Sequence, residues 1–122
     1  RQGLWEGLSA RYPLAEEQPD LYLVQHRLMF SQVLEAVRAL EEGVLEDIRE
    51  GDVGAILGWG FAPWSGGPFS WLDIIGTPYA AERCDELTEM YGPRFATPAL
   101  LREMSDKGQS LYGRFGQDAK AA

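Results

Sequence analysis

The side chains of this sequence best suited to chemistry are its single histidine, His26, and its single cysteine, Cys84. A histidine that acts as a base needs a carboxylate to orient it, and Asp20 lies six residues away, off the same helical face. Acidic neighbours such as Asp85 raise the pKa of the Cys84 thiol rather than activate it. One histidine and one cysteine make no plausible zinc site. We therefore predict no catalytic residue and no metal site, and we expect His26 to be satisfied by a neighbour on a buried helix.

The segment Gly58-Trp59-Gly60 is similar to the start of a dinucleotide-binding loop, but its context is different. Such a loop has the pattern G-x-G-x-x-G and follows a strand, because the third glycine lets a helix pack closely against that strand. In this sequence the sixth position is Pro63, and the preceding residues have a helical pattern. We predict no cofactor-binding residue in this chain.

Residues 58–71 combine chain-bending residues with large aromatic ones. Four glycines and two prolines between Gly58 and Phe69 allow a tight connection with positive φ angles. The aromatic residues of this segment are Trp59, Phe61, Trp64, Phe69 and Trp71. A monomer rarely leaves so much aromatic surface in water. Two interpretations follow: the rings form the core of the domain, or they face a partner domain.

Helical periodicity and capping signals place these residues on an all-α framework. Apolar residues at three- and four-residue steps predict a long helix that begins at Pro19-Asp20 and extends to about Val44. Asp52 is predicted to cap a short helix over residues 53–57. Prolines at helix starts and glycines at helix ends predict three more helices, which run from about Pro68 to Ile75, from Thr77-Pro78 to Tyr91, and from Thr97-Pro98 to about Gly108. No segment alternates with the period of two that strands require.

The predicted organisation is a single helical domain with less regular ends. Residues 1–18 are predicted to be an extended connector, residues 19–112 the helical domain, and residues 113–122 a frayed tail. A length of 122 residues is typical of one domain. The first residue is Arg1 rather than methionine, so we expect the chain to be a piece of a longer polypeptide.

The charge of the sequence argues against several classes of partner. Nineteen acidic and eleven basic residues give a net charge of −8, which repels nucleic acids and anionic membranes. No apolar run has the roughly 18 residues of a membrane span, and a single cysteine fits a reducing, cytoplasmic setting. Seven of the acids lie between Glu35 and Asp52. They form either a solvated helix face or an acidic docking site.

Several segments in a fixed order resemble a known family. They are 26–30 (HRLMF), 35–43 (EAVRALEEG), 58–69 (GWGFAPWSGGPF), 72–76 (LDIIG) and 91–101. Together they resemble the C-terminal helical domain of 3-hydroxyacyl-CoA dehydrogenase, a fold like the C-terminal domain of 6-phosphogluconate dehydrogenase. The likeness is greatest to the last domain of the multifunctional β-oxidation enzymes, the fatty-acid oxidation complex alpha subunits, and it covers roughly residues 19–108.

The resemblance implies a supporting role for this chain in a larger enzyme. In the family, NAD and a catalytic His–Glu pair belong to an upstream Rossmann domain, which has no counterpart in this sequence. His26 takes the place of the family's substrate-side asparagine, which implies that the chain is the second of two helical copies. Leu57, directly before Gly-x-Gly-Phe, takes a position linked to the substrate side. Ala62 replaces the family's usual first proline.

The predicted function is therefore to support NAD-dependent oxidation of 3-hydroxyacyl-CoA to 3-ketoacyl-CoA, with the isolated chain inactive and free of cofactor. The predicted partners are the upstream Rossmann domain and first helical copy, an acyl-CoA substrate and a thiolase subunit. The predicted pairing surface consists of Phe30, Trp59, Phe61 and Trp64, and the predicted substrate side of Leu57 and His26. An alternative is an independent all-α interaction module whose aromatic loop binds a peptide or another protein.

Overall fold

The computed structural model of the chain describes residue 3 and residues 5–116, and every regular element in this part is helical. The α-helices are α1 (Glu6–Arg11), α2 (Leu21–Glu41), α3 (Ile48–Trp59), α4 (Pro68–Ile75), α5 (Thr77–Tyr91), α6 (Ala99–Asp106) and α7 (Leu111–Phe115). Two 3₁₀ turns, Pro63–Ser65 and Pro93–Phe95, precede α4 and α6. The predicted all-α class is confirmed, and in the described part of the chain no residue forms a strand.

The predicted helix over 68–75 and the one ending at Tyr91 have the expected bounds, but the ends of the chain differ from the prediction. Residues 6–11 form α1 rather than an extended connector, although none of its residues is buried. Residues 113–115 of the predicted frayed tail belong to α7, whose N-terminus is capped by Ser110 and by a carboxylate from another helix. Gly116 follows at the end of α7, and residues 117–122 of that predicted tail lie outside the described residues.

The core forms around α4, which contacts α2, α3, α5 and α7. Helix α2 contributes its residues at positions i, i+3, i+4 and i+7, which are fully buried: Phe30, Val33, Leu34 and Val37. Helix α4 contributes Phe69 and Leu72, which are buried to the same extent. Because α4 has only eight residues, its position depends on what holds its ends.

The buried carboxylate of Asp52 holds the N-terminus of α4. Asp52 does not cap its own helix as predicted, because α3 begins earlier, after Asp47, and Asp52 lies inside it. Its Oδ1 accepts a hydrogen bond from the Phe69 backbone N–H at 2.8 Å, and its Oδ2 accepts from the Ser70 hydroxyl at 2.6 Å. Oδ2 also accepts from the hydroxyl of Tyr112 in α7, at 2.7 Å. A single carboxylate thus ties together three helices and satisfies backbone donors that would otherwise be orphaned.

Gly67 makes this close approach possible. Its φ angle is +118°, and a Cβ added at this position would lie 2.4 Å from Oδ1 of Asp52. Any other residue at this position would therefore strain the backbone, and its Cβ would push the Asp52 carboxylate away from α4.

Two other carboxylates cap helices that are distant in sequence. Asp73 accepts from the backbone N–H groups of Leu111 and Tyr112 at the start of α7, at 2.6 and 2.9 Å. Glu41, at the end of α2, accepts from the Leu100 N–H at the start of α6 at 2.9 Å. Thr77, the first residue of α5, donates its hydroxyl to the Gln109 carbonyl at 2.8 Å. Among the described residues, no helix combines the length and the apolar composition needed to cross a membrane.

We predict that Asp52→Asn destabilises the fold by about 3 kcal/mol, because an amide places N–H donors against the backbone and hydroxyl donors that the carboxylate accepts. Urea unfolding followed by far-UV circular dichroism measures the change. Asp106→Asn, which makes the same change at an exposed position, is the control and is expected to stay within about 0.5 kcal/mol of the unmodified chain. Equal stability of the two variants would show that the carboxylate is dispensable.

Candidate functional site

His26 lies on α2 and faces Arg83 of α5. The Arg83 Nε–H donates to His26 Nδ1 at 3.0 Å, and His26 is only 8% exposed. Because Nδ1 accepts this bond, the proton of the neutral imidazole is on Nε2. Burial, followed by the charge of Arg83, lowers the pKa of His26. The expectation that a neighbour satisfies His26 is confirmed, although no sequence signal connects it to a residue 57 positions away.

Aromatic rings enclose the imidazole on its other sides. The ring centroid of Tyr22 lies 4.1 Å from that of His26, and those of Phe30 and Trp71 lie at 5.7 and 6.4 Å. Phe30 and Trp71 in turn pack edge to face at 5.2 Å. A general base needs an orienting carboxylate, whereas His26 is held by a guanidinium and by ring packing. The geometry therefore makes His26 a neutral packing residue at the edge of a groove.

That groove, the Trp64 groove, lies between α2 and the segment around α4 and has a volume of about 440 Å³. Its lining includes His26, Leu28, Met29, Trp64, Trp71 and Ile75. Trp64, on the 3₁₀ turn before α4, is 75% exposed and forms one wall. The surface is mostly apolar and open to solvent, which suits contact with an apolar ligand or another protein surface.

A second apolar groove, the Trp59 groove, lies between the end of α2 and α3 and also measures about 440 Å³. Its lining includes Val44, Leu45, Gly51, Gly54, Gly58 and Trp59. Trp59 is 63% exposed. Leu57 is 80% exposed but lines neither groove, so the structure does not bring it together with His26.

The predicted pairing set divides between the surface and the interior. Trp59 and Trp64 are exposed and stay candidates for pairing. Phe30 and Phe61 are buried in the core of this chain, so the prediction that they face a partner is corrected. Phe61 turns inward because its N–H bonds the Ala55 carbonyl and closes the end of α3, whereas Trp64 is carried outward on the following turn.

Cys84 and the potential metal ligands are the remaining side chains that are candidates for chemistry on the sequence alone. Cys84 is buried and unpaired, and its pKa is raised to about 12, chiefly by burial and less by the charge of Asp85. The direction expected from the sequence is right, but the main cause is desolvation. No group of three potential metal ligands forms among residues 3 and 5–116.

Comparison with known proteins identifies close relatives of this chain. The chain is 40% identical over 89 residues to the fatty acid oxidation complex subunit alpha of Shewanella amazonensis, an alignment that covers 73% of this chain and 13% of that protein. For the same subunit of Shewanella loihica the identity is 37% over 106 residues, covering 87% of this chain and 15% of the relative. For that of Vibrio cholerae it is 41% over 86 residues, covering 70% and 12%. The alignments with these curated relatives thus cover about an eighth to a seventh of their length. No family model matches the chain.

We predict that the free energy of unfolding falls as the pH drops from about 6.5 towards 5, because His26 has a lower pKa in the folded chain than in the unfolded one. In this window the unfolded state binds the proton first, so acid favours unfolding, with a slope of at most about 1.4 kcal/mol per pH unit for one proton. Urea unfolding at several pH values measures the slope.

His26→Gln is the matched variant, since it keeps a polar side chain but does not titrate. Arg49 holds the pKa of Asp47 down to about 2, so the contribution of Asp47 to the free energy of unfolding is lost only below this pH window. Asp47 therefore does not affect the slope assigned to His26. A slope that persists unchanged in His26→Gln would refute the assignment.

Proposed function

We propose, from the premise that this chain is homologous to one segment of the fatty acid oxidation complex alpha subunits, that it supports the oxidation of 3-hydroxyacyl-CoA to 3-ketoacyl-CoA in a larger NAD-dependent enzyme. Its role is to pair with the catalytic region of the same polypeptide and to contribute a minor surface on the substrate side. In this proposal the setting is cytoplasmic, and a thiolase subunit is a further partner.

The exposure of Trp64 at the mouth of an apolar groove is the observation that carries the proposal of pairing. Large aromatic side chains that stay exposed while their neighbours Phe61 and Phe69 are buried are typical of interface anchors. A supporting role also agrees with the environment of His26, which is kept neutral and is packed between rings. His26 would contribute to the shape of the groove rather than move a proton.

In our proposal this chain does not itself bind NAD, and two features of the described residues support this. The loop between α3 and α4 follows a helix and has Pro63 where the third glycine of a dinucleotide fingerprint is needed. The first turn of α4 already receives the carboxylate of Asp52, which would repel a phosphate group there. In our proposal NAD and the catalytic base therefore belong to another region of the enzyme.

The alternative function is an independent interaction module that binds a peptide through Trp59 or Trp64. Its support is the presence of two separate exposed tryptophans, each beside its own apolar groove. The amino-acid sequence encoded upstream in the same reading frame discriminates between the two functions. A strand followed by G-x-G-x-x-G and a second helical copy supports the enzyme, whereas unrelated domains support the module.

We predict that Trp64→Ala leaves the melting temperature of the chain nearly unchanged but weakens its association with the upstream dehydrogenase region. The physical reason is that this ring is exposed in the chain alone, while its burial in an interface contributes on the order of 2–3 kcal/mol. Calorimetric titration of one purified piece with the other measures the affinity.

Trp59→Ala is the matched control for an exposed tryptophan in the other groove, and it separates the two candidate pairing surfaces. Phe61→Ala is the control for burial and should cost roughly 3–5 kcal/mol of stability. A Trp64→Ala chain that melts many degrees lower yet binds with unaltered affinity would remove the ring from the interface.

We also predict that the chain alone neither binds NADH at micromolar concentration nor oxidises 3-hydroxyacyl-CoA. Hydride transfer needs a cofactor held against the substrate and a positioned base, and the residues described above supply neither. Calorimetric titration with NADH checks the first part, and absorbance at the nicotinamide band checks the second. Micromolar binding would require NAD to be assigned to this chain.

A further inference from the structure

A small pocket between α2 and the 3₁₀ turn Pro93–Phe95 brings two arginines together. We call it the arginine pocket; its volume is about 260 Å³, and its lining consists of Val24, Arg27, Leu28, Ser31, Arg94 and Phe95. Both guanidinium groups belong to exposed residues, whereas Phe95 is buried. The pocket therefore combines apolar side chains with two positively charged ones.

In the described part of this acidic chain, most other basic side chains form ion pairs with carboxylates, whereas the two arginines of this pocket do not. Within residues 3 and 5–116, six of the nine basic side chains have a carboxylate within ion-pair distance: Arg38, Arg49, Arg83, Arg102, Lys107 and Arg114. In the same part of the chain no carboxylate pairs with Arg27 or Arg94, although acidic residues outnumber basic ones by nineteen to eleven in the whole sequence. Two arginines that lack an internal partner thus meet at a single pocket.

The surrounding contacts hold the guanidinium of Arg27 and the backbone of Arg94 in place. The guanidinium of Arg27 stacks over the ring of Tyr91 at 3.9 Å from its centroid. Stacking uses the face of the guanidinium and leaves its in-plane N–H groups free to donate to an oxyanion. The Arg94 carbonyl accepts a hydrogen bond from Arg38 Nη2 at 3.2 Å, which ties the 3₁₀ turn to α2.

The size and the position of the arginine pocket favour a protein side chain over a small molecule. Sites that enclose a whole ligand usually measure about 300–1,000 Å³, and this pocket is smaller and open. Arginine pairs best with carboxylate and phosphate groups, and the apolar side chains of Val24, Leu28 and Phe95 suit the methylene stem of an acidic side chain. Leu28 lines both this pocket and the Trp64 groove, so the two form one continuous surface along α2.

We propose that the arginine pocket binds the carboxylate of a glutamate or aspartate side chain from the protein segment that covers the Trp64 groove. Arg27 and Arg94 donate to the carboxylate oxygens, and Val24, Leu28 and Phe95 contact the stem. The identity of the partner segment rests on the proposed function, whereas the preference for a carboxylate rests on the pocket alone. The contact fixes the register of the partner on α2, because a charged pair is more directional than apolar packing.

The test is an NMR titration of the chain with a single glutamate, N-acetyl-glutamate amide, while the Nε–Hε resonances of the arginines are followed. We expect saturable shifts at Arg27 and Arg94 and none at Arg49 and Arg114, which have internal carboxylate partners. N-acetyl-glutamine amide, which has the same shape without the charge, is expected to give no saturable shift. The double variant Arg27→Gln/Arg94→Gln should lose the shifts that the glutamate probe causes at the backbone amides of Ser31 and Phe95.

The control variant is Arg49→Gln/Arg114→Gln, which removes the same charge elsewhere and should keep those shifts. Equal shifts at all four arginines, or no saturable shift, would overturn the proposal. Methyl phosphate is the competing probe, and saturable binding of methyl phosphate without binding of the glutamate probe would also overturn it, in favour of a phosphate ligand.

A second measurement separates this proposal from the proposed function. The Arg27→Gln/Arg94→Gln variant is titrated with the upstream dehydrogenase region, and we expect at least a tenfold loss of affinity that diminishes in high salt. Unaltered affinity of this variant would refute the docking contact and leave the proposed pairing intact. Failure of the unmodified chain to bind that region would refute the pairing, and the glutamate probe would still decide the chemistry of the pocket.

Discussion

The buried carboxylate of Asp52 is the interaction on which the rest of this fold depends. It lies within α3, caps the N-terminus of α4 and bonds the Tyr112 hydroxyl in α7. Since α4 contacts four of the other helices, the position of its first turn determines how those helices can pack around it to form the core. The same contact holds the far end of the loop from Gly60 to Gly67, whose near end is closed by the Phe61 N–H. With both ends held, Phe61 enters the core and Trp64 projects to the surface.

Much of the acidic character of the chain has a structural role. Asp52, Asp73 and Glu41 each accept hydrogen bonds from backbone N–H groups at the N-terminus of a helix that is distant in sequence. The acidic run from Glu35 to Asp52 is therefore not only a solvated face, since two of its members, Glu41 and Asp52, cap other helices. Short helices such as α6 and α7 have little stability of their own, and long-range capping compensates for their length.

Helix α2 connects the interior of the domain to both of its candidate partner surfaces. Its buried side forms the core, while His26 and Leu28 border the Trp64 groove. The Arg83 side chain holds the imidazole from α5, so the wall of the groove is built from two helices that the core keeps in register. The arginine pocket lies beside it along the same helix, where positive charge and apolar surface occur together. Helix α2 thus borders an apolar groove and a positively charged pocket on one continuous surface.

The helical class and the bounds of the helices that begin or end at Pro68, Gly76 and Gly92 follow from the amino-acid sequence alone, as does the family resemblance, which rests on motifs in a fixed order. These features are local, because proline and glycine restrict or free the backbone wherever they occur. Three features need the packed fold: Asp52 caps α4 rather than its own helix, Phe61 is buried while Trp64 is exposed, and Arg83 satisfies His26. Asp52 and His26 depend on partners 17 and 57 residues away, and the burial of Phe61 depends on the core that several helices form together, so local sequence patterns do not reveal these outcomes.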